Sequence, residues 1–264
     1  MPEIAHEVVR RGIAASISDA TVWRWLDEDT IRPWQYRSWI FPRDPDFVVK
    51  AGRVPDLYHG QWNGGPLGKR EYVLYADEKT NIQARIRKHP TIPPAPGRPM
   101  RIEQEYERGG SLAYIAALDV HRAKLFGRCE PHISIEPFER LLAEVMAMQP
   151  YRTAHRVFLV IDNGSSRRGQ ACVERIQKKW PKVMPVHLPI HASWLNQIGI
   201  YFSIVQRKAL TPNDSEFLEA LQTRILQFQH RYEELAEPFE WKLTKDDPAE
   251  LLHKLAGVQF KQSA

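Results

Sequence analysis

Five short apolar runs are typical of buried β-strands, because they contain many β-branched and aromatic residues and end in polar or turn-forming residues. They cover residues 72–76, 111–120, 123–129, 155–161 and 184–188. The second and third runs are separated by a His-Arg pair and predict an antiparallel hairpin. The first and fourth runs are each followed directly by an aspartate.

Between and around these runs, apolar residues recur at the three-to-four residue spacing of amphipathic helices. The predicted helices cover residues 136–149, 168–179, a segment from about Trp194 to 210, 214–234 and a final short one at 246–256. Strands that alternate with helices in this way predict an α/β fold, a mixed sheet flanked by helices. We expect the helix at 214–234 to cover this sheet, although it could also support dimer formation.

Two short helices are predicted at the start of the chain, the first over residues 2–12 and the second after a cap at Ser16 or Ser18. They resemble the later part of a helix-turn-helix in which Thr21 and Arg24 face a DNA groove and Trp25 packs inside. A plain helical hairpin is the alternative that the pattern alone favours. Two helices bury little core, so we expect a DNA-binding segment truncated at its front.

Residues 31–68 contain many prolines and glycines and predict a linker or irregular arm rather than a packed element. Aromatic residues alternate there with arginines such as Arg37, a composition that suits a nucleic-acid backbone. The tryptophans could equally anchor the linker to the next domain.

The stretch from Lys79 to Ile102 has six Lys or Arg residues and no Asp or Glu. Its proline-rich part predicts a stiff, exposed arm, and its positive charge suits contacts with DNA phosphates. A solvated surface loop is the alternative. The candidate DNA-contacting residues in this arm are Arg85, Arg87, Lys88, Arg98 and Arg101.

The overall composition is that of an ordinary globular protein with a moderate positive charge of +5. This charge permits a polyanionic partner without requiring one. Cys129 and Cys172 lack the spacing of a zinc site or disulfide framework, so we expect a reducing, cytoplasmic setting. No apolar stretch is long enough to predict a membrane span or a signal peptide.

Asp77 and Asp162 follow apolar strands of the same predicted sheet. If these strands are neighbours, the two carboxylates can share a divalent metal, and hard oxygen ligands select Mg²⁺ or Mn²⁺. The alternative for Asp162 is structural, because Asp-Asn-Gly is typical of a tight turn.

Three motifs taken together resemble the bacterial insertion-sequence transposases of the mariner-related DDE superfamily. They are Tyr-Ala-Asp-Glu at 75–78, Val-Ile-Asp-Asn-Gly at 160–164 and Pro-Ile-His-Ala-Ser-Trp-Leu-Asn-Gln-Ile at 189–198. This resemblance implies a ribonuclease-H-like catalytic fold. It also implies Mg²⁺-dependent (or Mn²⁺-dependent) cleavage of double-stranded DNA at transposon ends, followed by joining to target DNA, with a homodimer formed on the DNA.

The resemblance assigns Asp77 and Asp162 as the first two catalytic and metal-binding carboxylates. The third acidic position of the family is occupied by Gly199. Asn196 offers a neutral oxygen nearby, but it carries no charge. We therefore expect the transposase fold with impaired metal-dependent cleavage and strand transfer.

Two alternatives stay open: a non-catalytic, transposon-derived DNA-binding protein, and a general ribonuclease-H-like nuclease. The expected organisation is a partial helix-turn-helix at 1–30, a linker at 31–68, a catalytic domain at 69–235 and a tail at 236–264.

Overall fold

The computed structural model describes residues 1–28, 44–164, 169–244, 247 and 250. Residues 1–28 belong to one compact unit, and the described residues from 44 onward belong to a second. The helices are α1 (Pro2–Arg10), α2 (Asp19–Glu28), α3 (Phe47–Tyr58), α4 (Ile135–Ala147), α5 (Gly169–Lys179), α6 (Ile198–Lys208) and α7 (Leu218–Leu235). The strands are β1 (Gln61–Trp62), β2 (Gly65–Pro66), β3 (Glu71–Arg87), β4 (Tyr106–Asp119), β5 (Lys124–Glu130), β6 (Arg156–Ile161) and β7 (Val183–His187).

The N-terminal unit contains the two predicted helices. The second begins with the Ser18 side chain, whose Oγ accepts a hydrogen bond from the Thr21 backbone N–H at 3.1 Å, so Ser18 rather than Ser16 is the cap. Trp25 was expected to pack inside, and this prediction is wrong because its side chain is 52% exposed. Val22 is the buried residue of α2. The buried face of this helix is therefore narrower than the spacing of its apolar residues predicted.

The larger described sheet has five strands in the order β5-β4-β3-β6-β7. Strands β3, β4 and β5 pair antiparallel, whereas β6 is parallel to both β3 and β7. The predicted hairpin and the mixed sheet with flanking helices are therefore confirmed. The hairpin places β4 and β5 side by side, and the helical crossovers α4 and α5 return the chain to parallel strands.

The central strand β3 is much longer than the sequence pattern indicated. It continues past Asp77 to Arg87, with irregular register near Lys79 and Gln83 and a positive φ of 53° at Asn81. The prediction that the whole stretch from Lys79 formed an exposed arm is therefore wrong in its first part. Polar residues can occupy this part of β3 because the strand here extends beyond the end of β6. It is paired with β4 along one edge.

Helices cover both faces of the sheet because side chains along each strand alternate between them. On one face, Val73 and Tyr75 of β3 pack with residues of α3, α6 and α7. On the other face, Leu74 and Ala76 pack with residues of α4 and α5. The helix predicted at 214–234 covers the sheet as expected, with Leu221 and Ile225 buried, although it begins at Leu218.

Residues 44–68 are packed, so their interpretation as part of an irregular linker is wrong. Helix α3 buries its apolar side chains in the core, and the Tyr75 hydroxyl donates a hydrogen bond of 3.0 Å to the Val54 carbonyl. Among the described residues, Pro55 lies near the end of α3, and Gly65 and Pro66 form β2 of the small β1–β2 hairpin. The fully or nearly fully buried residues of α3 include Phe47, Ala51, Val54 and Leu57.

Two further predictions concern the C-terminal half. The helix expected from about Trp194 is instead a short 3₁₀ turn (Ser193–Leu195) followed by α6. Trp194 lies in this turn and is 53% exposed. The short helix predicted at 246–256 lies almost entirely outside the described residues. Within the described part of the chain, no helix has the length and apolar character needed to cross a membrane.

Candidate functional site

Asp77 and Asp162 lie at equivalent positions on neighbouring strands. In the parallel pairing of β3 with β6, Ala76 is opposite Ile161, so the next residue along each chain is an aspartate. Parallel strands lie about 4.8 Å apart. The alternation of side chains places both aspartates on the face of the sheet that α6 covers, as for Tyr75 and Val160.

Local hydrogen bonds shape each carboxylate. Oδ1 of Asp77 accepts a hydrogen bond from the Glu78 backbone N–H at 2.8 Å. Oδ1 of Asp162 accepts one from the Gly164 N–H at 3.0 Å, which is the turn geometry expected of Asp-Asn-Gly. The turn role and the metal role of Asp162 are therefore compatible, because a carboxylate has two oxygens.

Asn196 joins this pair from the turn that precedes α6. Its Nδ2 donates to the Ala76 carbonyl at 3.1 Å and lies 3.5 Å from Oδ2 of Asp77. Its Oδ1 is buried and has no hydrogen-bond partner among the described residues. An orphaned buried oxygen costs free energy unless something binds it. The arrangement therefore turns the amide nitrogen of Asn196 toward Asp77.

Gly199 lies in the first turn of α6, three residues after Asn196. A Cβ built at Gly199 meets no atom of the described residues within 4 Å. A Cβ atom therefore has room there. Among the described residues, no group of three or more His, Cys, Asp or Glu side chains is arranged to hold a metal ion.

The loop from Leu188 to Ser193 forms the wall beside Asp162. Together with the Asp-Asn-Gly turn it lines a cavity of about 440 Å³. Asn163 fixes one end of the loop, because its Nδ2 donates to the Leu188 carbonyl at 2.6 Å. His191 adopts a positive φ of 62°, a conformation that costs energy for a residue other than glycine and that must be held by its surroundings.

Asp44 holds the middle of this loop, and the sequence analysis missed it. The side chain is buried, and its Oδ2 accepts a hydrogen bond from the Ile190 N–H at 3.2 Å. Its Oδ1 accepts from the Asp46 N–H at 3.0 Å and from Lys50 Nζ at 2.9 Å. Burial alone would raise the pKa of the Asp44 carboxyl, but these hydrogen bonds and the Lys50 charge outweigh it, so the pKa lies below its usual range.

We expect Asp44→Ala to destabilise the protein by about 1–3 kcal/mol, because it leaves the Ile190 N–H without its acceptor. The Asp44 ion pair contributes stability above the carboxyl's unfolded pKa of about 3.9, and this contribution is lost as the pH falls through the lower folded pKa. Denaturant unfolding between pH 3 and 7, with amide exchange at Ile190, measures both effects.

Asp44→Asn serves as the matched control, because it keeps an acceptor oxygen for Ile190 while removing the charge that Lys50 contacts. It should protect the Ile190 amide better than Asp44→Ala does. Equal exchange at Ile190 in the wild-type protein and in Asp44→Ala would contradict the proposed anchoring.

The predicted DNA-contacting residues fall into separate groups. Arg24 is exposed on α2, and the Thr21 hydroxyl lies 2.9 Å from Ser18 Oγ. Arg37 lies outside the described residues. Lys88 is paired with Glu105 at 3.3 Å on the surface.

Arg85 and Arg87 come together around the ring of Tyr106. Their guanidinium carbons lie 4.6 and 5.2 Å from its centroid. Arg87 also bonds the carbonyls of Glu103 and Asn213 and pairs with Asp214, and its side chain is 11% exposed. These contacts favour a structural role for Arg87.

Arg98 and Arg101 are exposed beyond the end of β3. They lie in a narrow turn closed by the bridges Ala95↔Arg98 and Ile92↔Arg101. The proline-rich part of the predicted arm is thus an exposed hairpin-like loop. Contact of these arginines with DNA stays a prediction.

A five-stranded mixed sheet with helices on both faces, and carboxylates at matching positions where β3 passes the end of β6, defines a ribonuclease-H-like fold. The family model described as DDE superfamily endonuclease matches residues 72–222, more than half of the chain. The chain belongs to this family.

Similar solved structures include complexes of the mariner transposase Mos1. The Mos1 strand transfer complex matches with a TM-score of 0.50 and 11% identity over 93% of this chain and 72% of that chain. A pre-cleavage Mos1 transpososome matches with a TM-score of 0.42 and 12% identity, over 86% and 80%. A Mos1 paired end complex with Mn matches with a TM-score of 0.39 and 16% identity, over 85% and 72%. A comparison with curated proteins found no match.

Proposed function

We propose that this chain is a DDE-type transposase that binds double-stranded DNA at transposon ends and is impaired in metal-dependent cleavage and strand transfer. The observation that carries the proposal is the placement of Asp77 and Asp162 at matching positions on the adjacent strands β3 and β6. Gly199 lies in the first turn of α6, which covers the same face of the sheet. Membership of the endonuclease family supports a reaction on the phosphodiester backbone.

The residues present fit a divalent metal ion, because two carboxylates at matching positions on adjacent strands supply hard oxygen ligands. Asp77 and Asp162 would hold Mg²⁺ or Mn²⁺, and Asn196 would orient Asp77. When bound, such ions stabilise charge on the attacking and leaving oxygens of phosphoryl transfer. Gly199 contributes no charge, so we infer that a second ion is held weakly.

We expect Asp77→Asn and Asp162→Asn each to weaken Mn²⁺ binding at least about 10-fold, because each removes a charged oxygen ligand. Electron paramagnetic resonance titration of free Mn²⁺ against the full chain measures this affinity without requiring activity. Glu105→Gln, a change at an exposed surface acid, is the control and should leave the affinity unchanged. Equal Mn²⁺ affinity in all four proteins would refute the assigned site.

The expected DNA partners are terminal repeats and target DNA, with a homodimer forming on the paired ends. The fold shared with the Mos1 strand transfer complex supports this assembly as a proposal for a cytoplasmic, DNA-associated protein. Footprinting of the full chain on the DNA that flanks its own reading frame tests the partner. Protection of inverted repeats supports the proposal, whereas equal protection of unrelated DNA points to a general nuclease.

Gly199 also favours a second candidate function, that of a transposon-derived DNA-binding protein without catalysis. Phosphate contacts do not depend on a carboxylate in the active site. A protein with this function would protect the repeats and leave them uncut with either Mg²⁺ or Mn²⁺.

A further inference from the structure

A groove leads away from the carboxylates along β3 and α6. It begins at Lys79, two residues after Asp77 on the same strand and therefore on the same face of the sheet. Its other wall is the polar face of α6, where Ser203 and Gln206 follow Gly199 at helical spacing. We call this feature the Lys79–Gln206 groove.

Two adjoining cavities of about 320 and 330 Å³ form this groove. Both are lined by Lys79 and Gln206, so they lie side by side at these residues. Together they extend from the middle of α6 to the segment after it. Hydrogen bonds hold the α6 wall in place: Ser203 Oγ donates to the Gly199 carbonyl at 2.9 Å, and Gln206 Nε2 donates to Thr211 Oγ1 at 3.1 Å.

The lining of the groove is positively charged. Lys79, Arg85, Arg87 and Arg207 line it, and no acidic side chain of the described residues does so. Asp214 pairs with Arg87 at 3.3 Å from outside the lining and offsets that charge. The uncompensated cations are therefore Lys79 at the end near the carboxylates, Arg85 and Arg207.

One of these cations, Arg85, has a hydrogen-bond donor without a partner among the described residues. Nε of Arg85 is buried and has no hydrogen-bond partner among the described residues, while its guanidinium stacks on Tyr106. A phosphate beside the Arg85 guanidinium would supply a charge-assisted hydrogen bond.

We propose that the Lys79–Gln206 groove binds the phosphodiester backbone of the DNA strand that leads away from the bond at Asp77 and Asp162. The proposal rests on the proposed function and assigns the path of the strand to Lys79, Arg85 and Arg207, of which only Arg85 was predicted from the sequence to contact DNA. An elongated, open groove with several cations suits successive phosphates better than one small anion.

The test is binding of the full chain to a duplex containing its flanking inverted repeat, measured by fluorescence anisotropy across a range of KCl concentrations. Each phosphate contact contributes about 0.9 to the slope of log affinity against log salt. We expect the double variant Lys79→Ala/Arg207→Ala to reduce this slope by about 2 and to weaken binding at least about 10-fold at 0.1 M salt.

Two further variants keep the test decisive. Lys208→Ala removes the neighbouring cation of α6, which does not line the groove, and it should leave the slope nearly unchanged. Gln206→Lys adds a cation to the groove and should raise the slope by about 1. If Lys79→Ala/Arg207→Ala proves unstable by circular dichroism, Gln206→Lys and Lys208→Ala still decide the question.

The outcomes separate this inference from the proposed function. An unchanged slope in both groove variants, with tight and repeat-specific binding by the wild-type chain, overturns the groove and leaves the proposed function standing. The groove assignment is also overturned if Lys79→Ala/Arg207→Ala reduces the salt slope by no more than Lys208→Ala does. Failure of the wild-type chain to bind any DNA overturns both.

Discussion

Gly199→Glu is expected to raise metal-dependent DNA cleavage by at least about 100-fold over the wild-type chain, because it supplies the third carboxylate at the site. The space around Gly199 accepts a Cβ atom, which would meet no neighbouring described atom within 4 Å. The position is in the first turn of α6, where a negative charge interacts favourably with the helix dipole. Cleavage of a labelled duplex that contains the flanking repeat, with Mg²⁺ and with Mn²⁺, measures the gain.

Gly199→Gln is the matched control, because it has nearly the same shape as the glutamate and no charge. It should leave cleavage at the wild-type level, while both variants gain about 0.5–1 kcal/mol of helix stability from loss of the glycine. Equally strong cleavage by the wild-type chain and Gly199→Glu would show that the third carboxylate is not needed. Equal gains in both variants would show that helix stability, not charge, limits the reaction.

Leu57→Ala is expected to lower the free energy of unfolding by about 2–5 kcal/mol. Leu57 is 0% exposed and lies in α3, in the same core as the β3 face that bears Asp77. Removing its side chain leaves a cavity that the surrounding helices and strands cannot fully close. Urea denaturation followed by far-UV circular dichroism measures the loss.

Val49→Ala on the same helix is the control for α3. Val49 is 58% exposed, so its truncation should change the free energy of unfolding by no more than about 0.5 kcal/mol. If Leu57→Ala were as mild as Val49→Ala, α3 would not belong to the core of this unit.

The main parts of the sheet could be predicted because their strands are continuous apolar runs. Such a run has a clear sequence signature when both faces of its strand are buried, as in 156–161. The two aspartates could be placed for the same reason, since each follows directly after such a run. Their adjacency needed the parallel pairing of β3 with β6, which no local pattern encodes.

Other features could not be predicted because tertiary contacts determine them. The second half of β3 is polar and lacks a strand pattern, and it is held by pairing with β4. Helix α3 follows a proline-rich segment and contains Pro55, so local signals contradicted its packing. Asp44 had no motif at all, because its partner Ile190 is distant in sequence.

The alternation of side chains along β3 has a consequence for cooperativity. Leu74 belongs to one hydrophobic core and Tyr75 to the other, so a single strand contributes to both layers of the unit. Neither layer can melt without releasing the strand that the other needs, and the two therefore unfold as one foldon. We therefore expect the backbone amides around Asp77 to be protected from exchange up to the global free energy of unfolding.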